Sequence, residues 1–257
     1  INFNLGANSQ VTDGFGPNQV STVMGLVFGV TFFLWLHRVR IFNRTWKDLI
    51  FSALFLYYTL LTFSRGGVIA IVLPLVLIIL LVPKPKHSIS PRKFDFKFLG
   101  ATFALLVGLF IVSNSLTGGS LLLRYQGETY ATQRGYVEKD LNEISSGRVE
   151  VFQSDLQMWM DNFLFGVGVG QSYYERPNYG YRLVSAHVEV SRLLSEHGLF
   201  GFVFSIIFLF YPVILFFKAN SAFQKSLIIF CMGVAIATSM HSAMRTFVTP
   251  LLYGMGT

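Results

Sequence analysis

The chain has 257 residues, of which 53% are hydrophobic, 16% aromatic and 13% charged, with a mean hydropathy of +0.54. That balance excludes an ordinary soluble domain and describes a polytopic membrane protein. The net charge of +7 follows from where the basic residues sit along the chain, and does not point to nucleic acid.

Residues 1–18 are polar and read as an outer loop, with Gly16-Pro17-Asn18 placed to start a helix, since proline is tolerated in a first turn. Six apolar stretches then approach the roughly 20 residues that span a hydrocarbon core of about 30 Å. They are Gln19–Leu36, Leu49–Phe63, Gly66–Val82, Phe98–Val112, Leu199–Phe217 and Ser226–Met240. Pro74 lies inside the third and is expected to kink it. The connectors His37–Asp48, Pro83–Lys97 and Lys218–Lys225 hold eleven basic residues against two acidic ones. The positive-inside rule therefore puts these connectors in the cytoplasm and the long polar segment Ser115–Gly198 outside. The chain opens on Ile1 and begins outside without a leader or earlier span, which predicts further helices upstream in the intact protein. Cys231 is alone, so the outer segment folds without a disulfide.

Three regions result: helices over 1–114, a large loop over 115–198, and two more helices with an outer tail over 199–257. A loop that long in such a protein is seldom a mere connector. From Arg148 to Phe163 the apolar residues Val149, Phe152, Leu156, Trp159, Met160 and Phe163 recur at helical spacing. Glycines at 166, 168 and 170 end that helix, and a tyrosine-rich stretch follows. A second helix is expected from Ala186 to His197, with Ser185 as its N-cap and Gly198 as its stop.

Several residues in this layout suit chemistry on a glycan or a phosphate. Arg65 stands between two apolar stretches, where a guanidinium either anchors at the interface or forks onto a phosphate. The glycines beside it would let a ligand approach the backbone. Arg148 opens a helix against the macrodipole, which suggests a compensating partner: Glu150, Asp155, or an anion bound at the helix N-terminus. His187, near a helix start, is the best candidate base, because the positive helix end keeps its ring neutral; a structural hydrogen-bonding role is the alternative. His197 reads as a helix C-terminal residue, and His241, close to Arg245, is a weaker candidate. Gly166-Val167-Gly168-Val169-Gly170 lacks the strand and the Lys-Ser/Thr of a nucleotide loop. Two histidines ten residues apart with no cysteine pair do not make a zinc site.

These pieces, taken in order, resemble the O-antigen ligase/polymerase family. The resemblance rests on Ser146-Gly147-Arg148, Trp159, Asp161 through Gly168, Ala186-His187 and Leu194 through Gly201, preceded by Gly16-Pro17-Asn18 and Ser64-Arg65-Gly66-Gly67. It implies an all-α, polytopic transmembrane helical bundle of the GT-C-like kind with a large helical periplasmic loop, in the bacterial inner membrane. It further implies a glycosyltransferase that moves a glycan from undecaprenyl diphosphate to an acceptor such as lipid A–core, without metal, nucleotide or other cofactor. By matching position, Arg65 and Arg148 would hold the diphosphate and His187 would take the acceptor's proton. The family often has Asn after this histidine, where this chain has Val188. A polymerase of the same family, and a non-catalytic transporter of lipid-linked glycans, remain alternatives on sequence alone.

Overall fold

A computed structural model of the protein describes residues 5, 10–37, 39–82, 96–136, 138–242 and 246–257. Among them every regular element is helical. In chain order these are α1 (Pro17–Leu36), α2 (Thr45–Leu61), α3 (Arg65–Leu81), α4 (Phe96–Leu116), α5 (Ser120–Tyr125), α6 (Tyr130–Gln133), α7 (Leu141–Ser145), α8 (Arg148–Asp161), α9 (Ser172–Glu175), α10 (Glu189–Lys218), α11 (Ala222–Ser242) and α12 (Val248–Met255). Arg245 and most of the connector from Pro83 lie outside the described residues.

The six expected apolar stretches all fall on helices, α1 to α4, α10 and α11. Of these, Pro17–Leu36, Glu189–Lys218 and Ala222–His241 are long and apolar enough to cross a membrane, and Arg65–Leu81 is a shorter apolar helix. The protein is a helical membrane protein. α3 runs unbroken through Pro74, whose ring is buried against Gly233 of α11.

Small residues set the spacing of the bundle. α1 packs on α2 and α3, and α3 on α11. A Cβ at Gly25 or Gly29 of α1 would come within 2.9 or 2.7 Å of the Ile71 side chain. At Gly67 it would meet the Ser21 hydroxyl at 1.8 Å, and at Gly66 the His241 ring at 2.6 Å. These contacts correct one sequence expectation: Gly66 and Gly67 admit neighbouring helices rather than a ligand, the usual service of glycine in membrane bundles. Phe28, Phe33, Ile71, Leu75, Phe230 and Val234 fill the resulting core. Ile69, Leu73, Val76 and Leu80, at helical spacing on α3, are exposed, as a lipid-facing stripe requires.

The segment over 115–198 is built of short helices and tight turns. α8 starts at Arg148 as the sequence predicts, but its buried face is Val151, Ser154, Asp155 and Met158. Of the expected apolar stripe, Phe152, Met160 and Phe163 are exposed and Val149, Leu156 and Trp159 only half-buried. The reason is a buried ion pair: Asp155 and Arg176 are both fully buried and paired, and this rotates α8 away from its hydrophobic face. A second correction concerns α10. It begins at Glu189 with Val188 as N-cap and no side-chain cap, so Ser185 does not cap it and His187 precedes the helix. Gly198 does interrupt it, with non-helical φ 59° and ψ −130°, leaving Leu199–Lys218 as the apolar span.

The glycine-rich turn after α8 docks into this interruption. Val167 and Gly168 donate backbone N–H bonds to Ser195 and Glu196 carbonyls (2.8 and 3.2 Å), and Leu199 donates to Leu164 (3.2 Å). A Cβ at Gly166 would lie 2.4 Å from the Glu196 backbone, and one at Gly198 would lie 2.6 Å from the Gly166 nitrogen. The run of glycines therefore serves a backbone-to-backbone junction.

Candidate functional site

The residues singled out in the sequence converge at one end of the bundle. Ser64 caps α3 by accepting from Gly67 N, and its hydroxyl donates to Asn18 Oδ1 at 2.8 Å, joining the first turns of α1 and α3. The turn before it runs through Phe63, fully buried with φ 57°, a conformation that costs a bulky L-residue energy and that packing here enforces. That turn fixes the exit direction of Arg65.

Opposite, the chain reverses between α7 and α8 through two left-handed residues, Ser146 (φ 60°) and Gly147 (φ 81°). Glycine at 147 meets this need without strain. Serine at 146 contributes a hydroxyl that accepts from Arg65 Nη2 at 3.4 Å and from Arg124 Nη2 at 3.1 Å. Arg65 Nη2 also donates to the Ile144 carbonyl. Arg148 follows at the first position of α8, and its Nη2 reaches the His241 carbonyl at 3.5 Å.

Three arginines therefore surround the α7–α8 turn: Arg65 from α3, Arg124 from α5 and Arg148 from α8. Among the described residues none of them pairs with a carboxylate. The two acids named as partners for Arg148 are taken elsewhere, Glu150 by Arg182 at 2.9 Å and Asp155 by Arg176. The Nε atoms of Arg124 and Arg148 are buried without a hydrogen-bond partner among the described residues. Burial, reinforced by repulsion from Arg65 and Arg148, pulls the Arg124 guanidinium down to about 10. Burial and the Arg65 charge lower Arg148 in the same way. All three stay charged at neutral pH, so buried Arg124 and half-buried Arg65 and Arg148 hold uncompensated positive charge partly away from water, a costly arrangement that a bound anion relieves.

His187 is half-buried in the segment leading to α10. It lines a cavity of about 180 Å3 together with Ser146, Gly147, Glu150, Val151, Arg182 and Val184. Ser146 and Gly147 belong to the turn that the arginines surround, so the turn joins the cluster to the cavity that His187 lines. His187 and Arg148 both lie within electrostatic range of His241. The approach to His187 is held by Arg176, which donates Nε to Ser154 at 2.7 Å, Nη1 to the Val184 carbonyl and Nη2 to Asp155. Ser191 of α10 closes the network by donating to Asp155 at 2.7 Å.

The structure thus brings Arg65, Arg148 and His187 to one locality. Glu196 is occupied by Arg192 (3.1 Å) and Ser172 (2.7 Å), a structural tie beneath the α10 interruption. Arg124, Asp155 and Arg176 were not legible as site residues. Arg124 sits in a Leu-rich run without a motif, and only its place in the fold sets it beside the other two.

The fold and the site define a helical membrane protein with a partly buried cation cluster near a cavity lined by a histidine. The family model described as O-antigen ligase matches residues 49–206, more than half of the chain, including Arg65, Arg124, Arg148 and His187. The chain belongs to the O-antigen ligase family, a glycosyltransferase-like group of ligase and polymerase type that processes glycans at membranes. No curated protein matches the chain.

Proposed function

We propose that the protein is a ligase that transfers a preassembled glycan from undecaprenyl diphosphate to lipid A–core at the periplasmic face of the bacterial inner membrane. The observation that carries this reading is the set of three arginines, Arg124 buried and Arg65 and Arg148 half-buried, with no carboxylate partner among the described residues, around a turn whose Ser146 and Gly147 line the cavity that holds His187. A diphosphate is the lipid-borne anion whose charge and oxygen spacing match several guanidinium forks.

In this mechanism neutral His187 removes the proton from an acceptor hydroxyl as that oxygen attacks the anomeric carbon. The bond from that carbon to the diphosphate oxygen breaks, and its electron pair leaves with undecaprenyl diphosphate. Attack opposite the leaving group inverts the anomeric centre. Arg65, Arg124 and Arg148 take up the developing charge, a service that a divalent cation performs in other glycosyltransferases. The protonated His187 then returns its proton to water.

Removing a general base costs about 10²- to 10⁴-fold in rate, and His187→Ala is expected to fall in that range. The test is the lipopolysaccharide banding of a strain lacking the gene, complemented with wild type or His187→Ala at equal protein levels. Unmodified core with accumulated lipid-linked polymer in both the null and the His187→Ala strain supports the ligase reading. Core carrying a single repeat would make the protein a polymerase. Rescue by His187→Ala would overturn the base assignment and favour a transporter. With purified protein, transfer is expected to survive a chelator; its loss and restoration by a divalent cation would overturn the metal-free mechanism.

A further inference from the structure

We propose that the cavity beside His187 is the subsite for the acceptor sugar, with Glu150 and Arg182 as the pair that recognises its hydroxyls. This deepens the transferase reading and rests on it. The cavity is lined by Ser146 and Gly147, on the turn that the arginines surround. Beside them Glu150 of α8 meets Arg182 from the segment after the 3₁₀ turn Arg176–Tyr179, with Arg182 Nη2 2.9 Å and Nε 3.4 Å from the carboxylate, and Nη2 3.6 Å from where a Cβ on Gly147 would stand. His187 lines the wall they share.

The volume, about 180 Å3, is on the scale of a single sugar ring. The chemistry of the lining suits a sugar too. Glu150 is kept ionised, chiefly by its hydrogen bond from Arg182, and is also held by Asn142 Nδ2 at 3.3 Å. A fixed carboxylate accepts from sugar hydroxyls, and a guanidinium whose side chain is 70% exposed has donor edges left to offer. A carboxylate here also disfavours a phosphate, so the diphosphate belongs with the arginines and the hydroxyl-bearing acceptor with Glu150. His187 lies where a base acting on that acceptor must stand.

The test uses the full-length protein in lipid nanodiscs, with undecaprenyl-diphosphate-linked glycan as donor and O-antigen-free lipopolysaccharide as acceptor. Glu150→Gln and Arg182→Ala are expected to raise the KM for the acceptor about tenfold each, the loss of one charge-assisted hydrogen bond. The KM for the donor is expected to move less than twofold. A rise in the donor KM instead, or no rise in either, overturns the proposal. So does full recovery in the charge-exchanged Glu150→Arg/Arg182→Glu double variant, which would make the pair structural only.

Should either variant fail to fold, Val184→Cys gives a second reading. Val184 lines the cavity, and the native Cys231 is buried. Maleimide labelling at 184 is expected to be slowed by the acceptor and not by the donor; the reverse pattern overturns the assignment. If the transferase reading itself is wrong, wild-type protein transfers nothing in this assay, and the labelling result still decides whether the cavity takes the acceptor sugar.

Discussion

At the residue scale, the decisive placements are those of charged side chains kept from water. Arg124 is the least advertised and is predicted to be among the most sensitive. Arg124→Ala is expected to lower transfer about 10²-fold with little loss of stability, since it removes a repelled charge while weakening the hold on the anion. Arg124→Lys keeps the charge but not the fork, and should recover only part of the rate. Equal turnover in wild type and Arg124→Ala would remove it from the site. Asp155 behaves oppositely. Deleting one partner of a buried pair strands the other, so Asp155→Ala is expected to destabilise the protein by about 3–5 kcal/mol, read as a lowered Tm in detergent. Arg65 and Arg148 were legible in the sequence because each adjoins an element boundary, where an unpaired cation calls for a reason. Arg124 was not, because its neighbours arrive from α3 and the α7–α8 turn, and no local spacing records that meeting.

At the scale of elements, the junction between the glycine turn and the α10 interruption explains why 115–198 forms a fixed structure. Alanine at Gly166 or Gly198 would push one backbone into another, at 2.4 and 2.6 Å. Either variant is expected to lose activity and to become sensitive to limited proteolysis between α8 and α10. Gly170→Ala is the control. Its φ of 75° carries a left-handed cost of about 1–2 kcal/mol, but nothing lies within 4 Å of the added methyl. If Gly166→Ala were no worse than Gly170→Ala, the junction would not be the fastening it is taken to be. The breaks themselves could be read from glycine spacing. The facing of α8 could not, because periodicity selects the apolar side for burial, and the paired charges of Asp155 and Arg176 overrode it. The start of α10 slipped for a related reason: Ser185 has the right chemistry for a cap, yet the Val184 carbonyl is held by Arg176, and the helix begins only after Val188, whose backbone is extended.

For the whole molecule, apolar residues line both the interior and the outer faces of the long helices, as a bilayer solvent dictates. Orientation remains a prediction from charge, with the basic connectors inside and the loop outside. In intact cells, a membrane-impermeant maleimide is expected to label Tyr136→Cys, an exposed loop position, and to miss Asn43→Cys until the membrane is permeabilised. The reverse pattern would invert the topology and move the site to the cytoplasm. The bundle was the most legible level of the sequence, since long apolar runs leave little choice of structure; the cavity was the least, since its walls come from two segments some thirty residues apart, 146–151 and 182–187.

The α8–α10 junction has one more consequence, for how such a protein can diversify. Its hydrogen bonds join peptide groups, and its fit depends on absent side chains at Gly166 and Gly198. The attachment is therefore blind to most of the intervening sequence, provided that Arg176 keeps its place. Residues around Arg182 can drift, and the cavity can be recut for a different sugar, while His187 and the arginines stay in register. A lineage built on this frame can change what it decorates without relearning how to transfer.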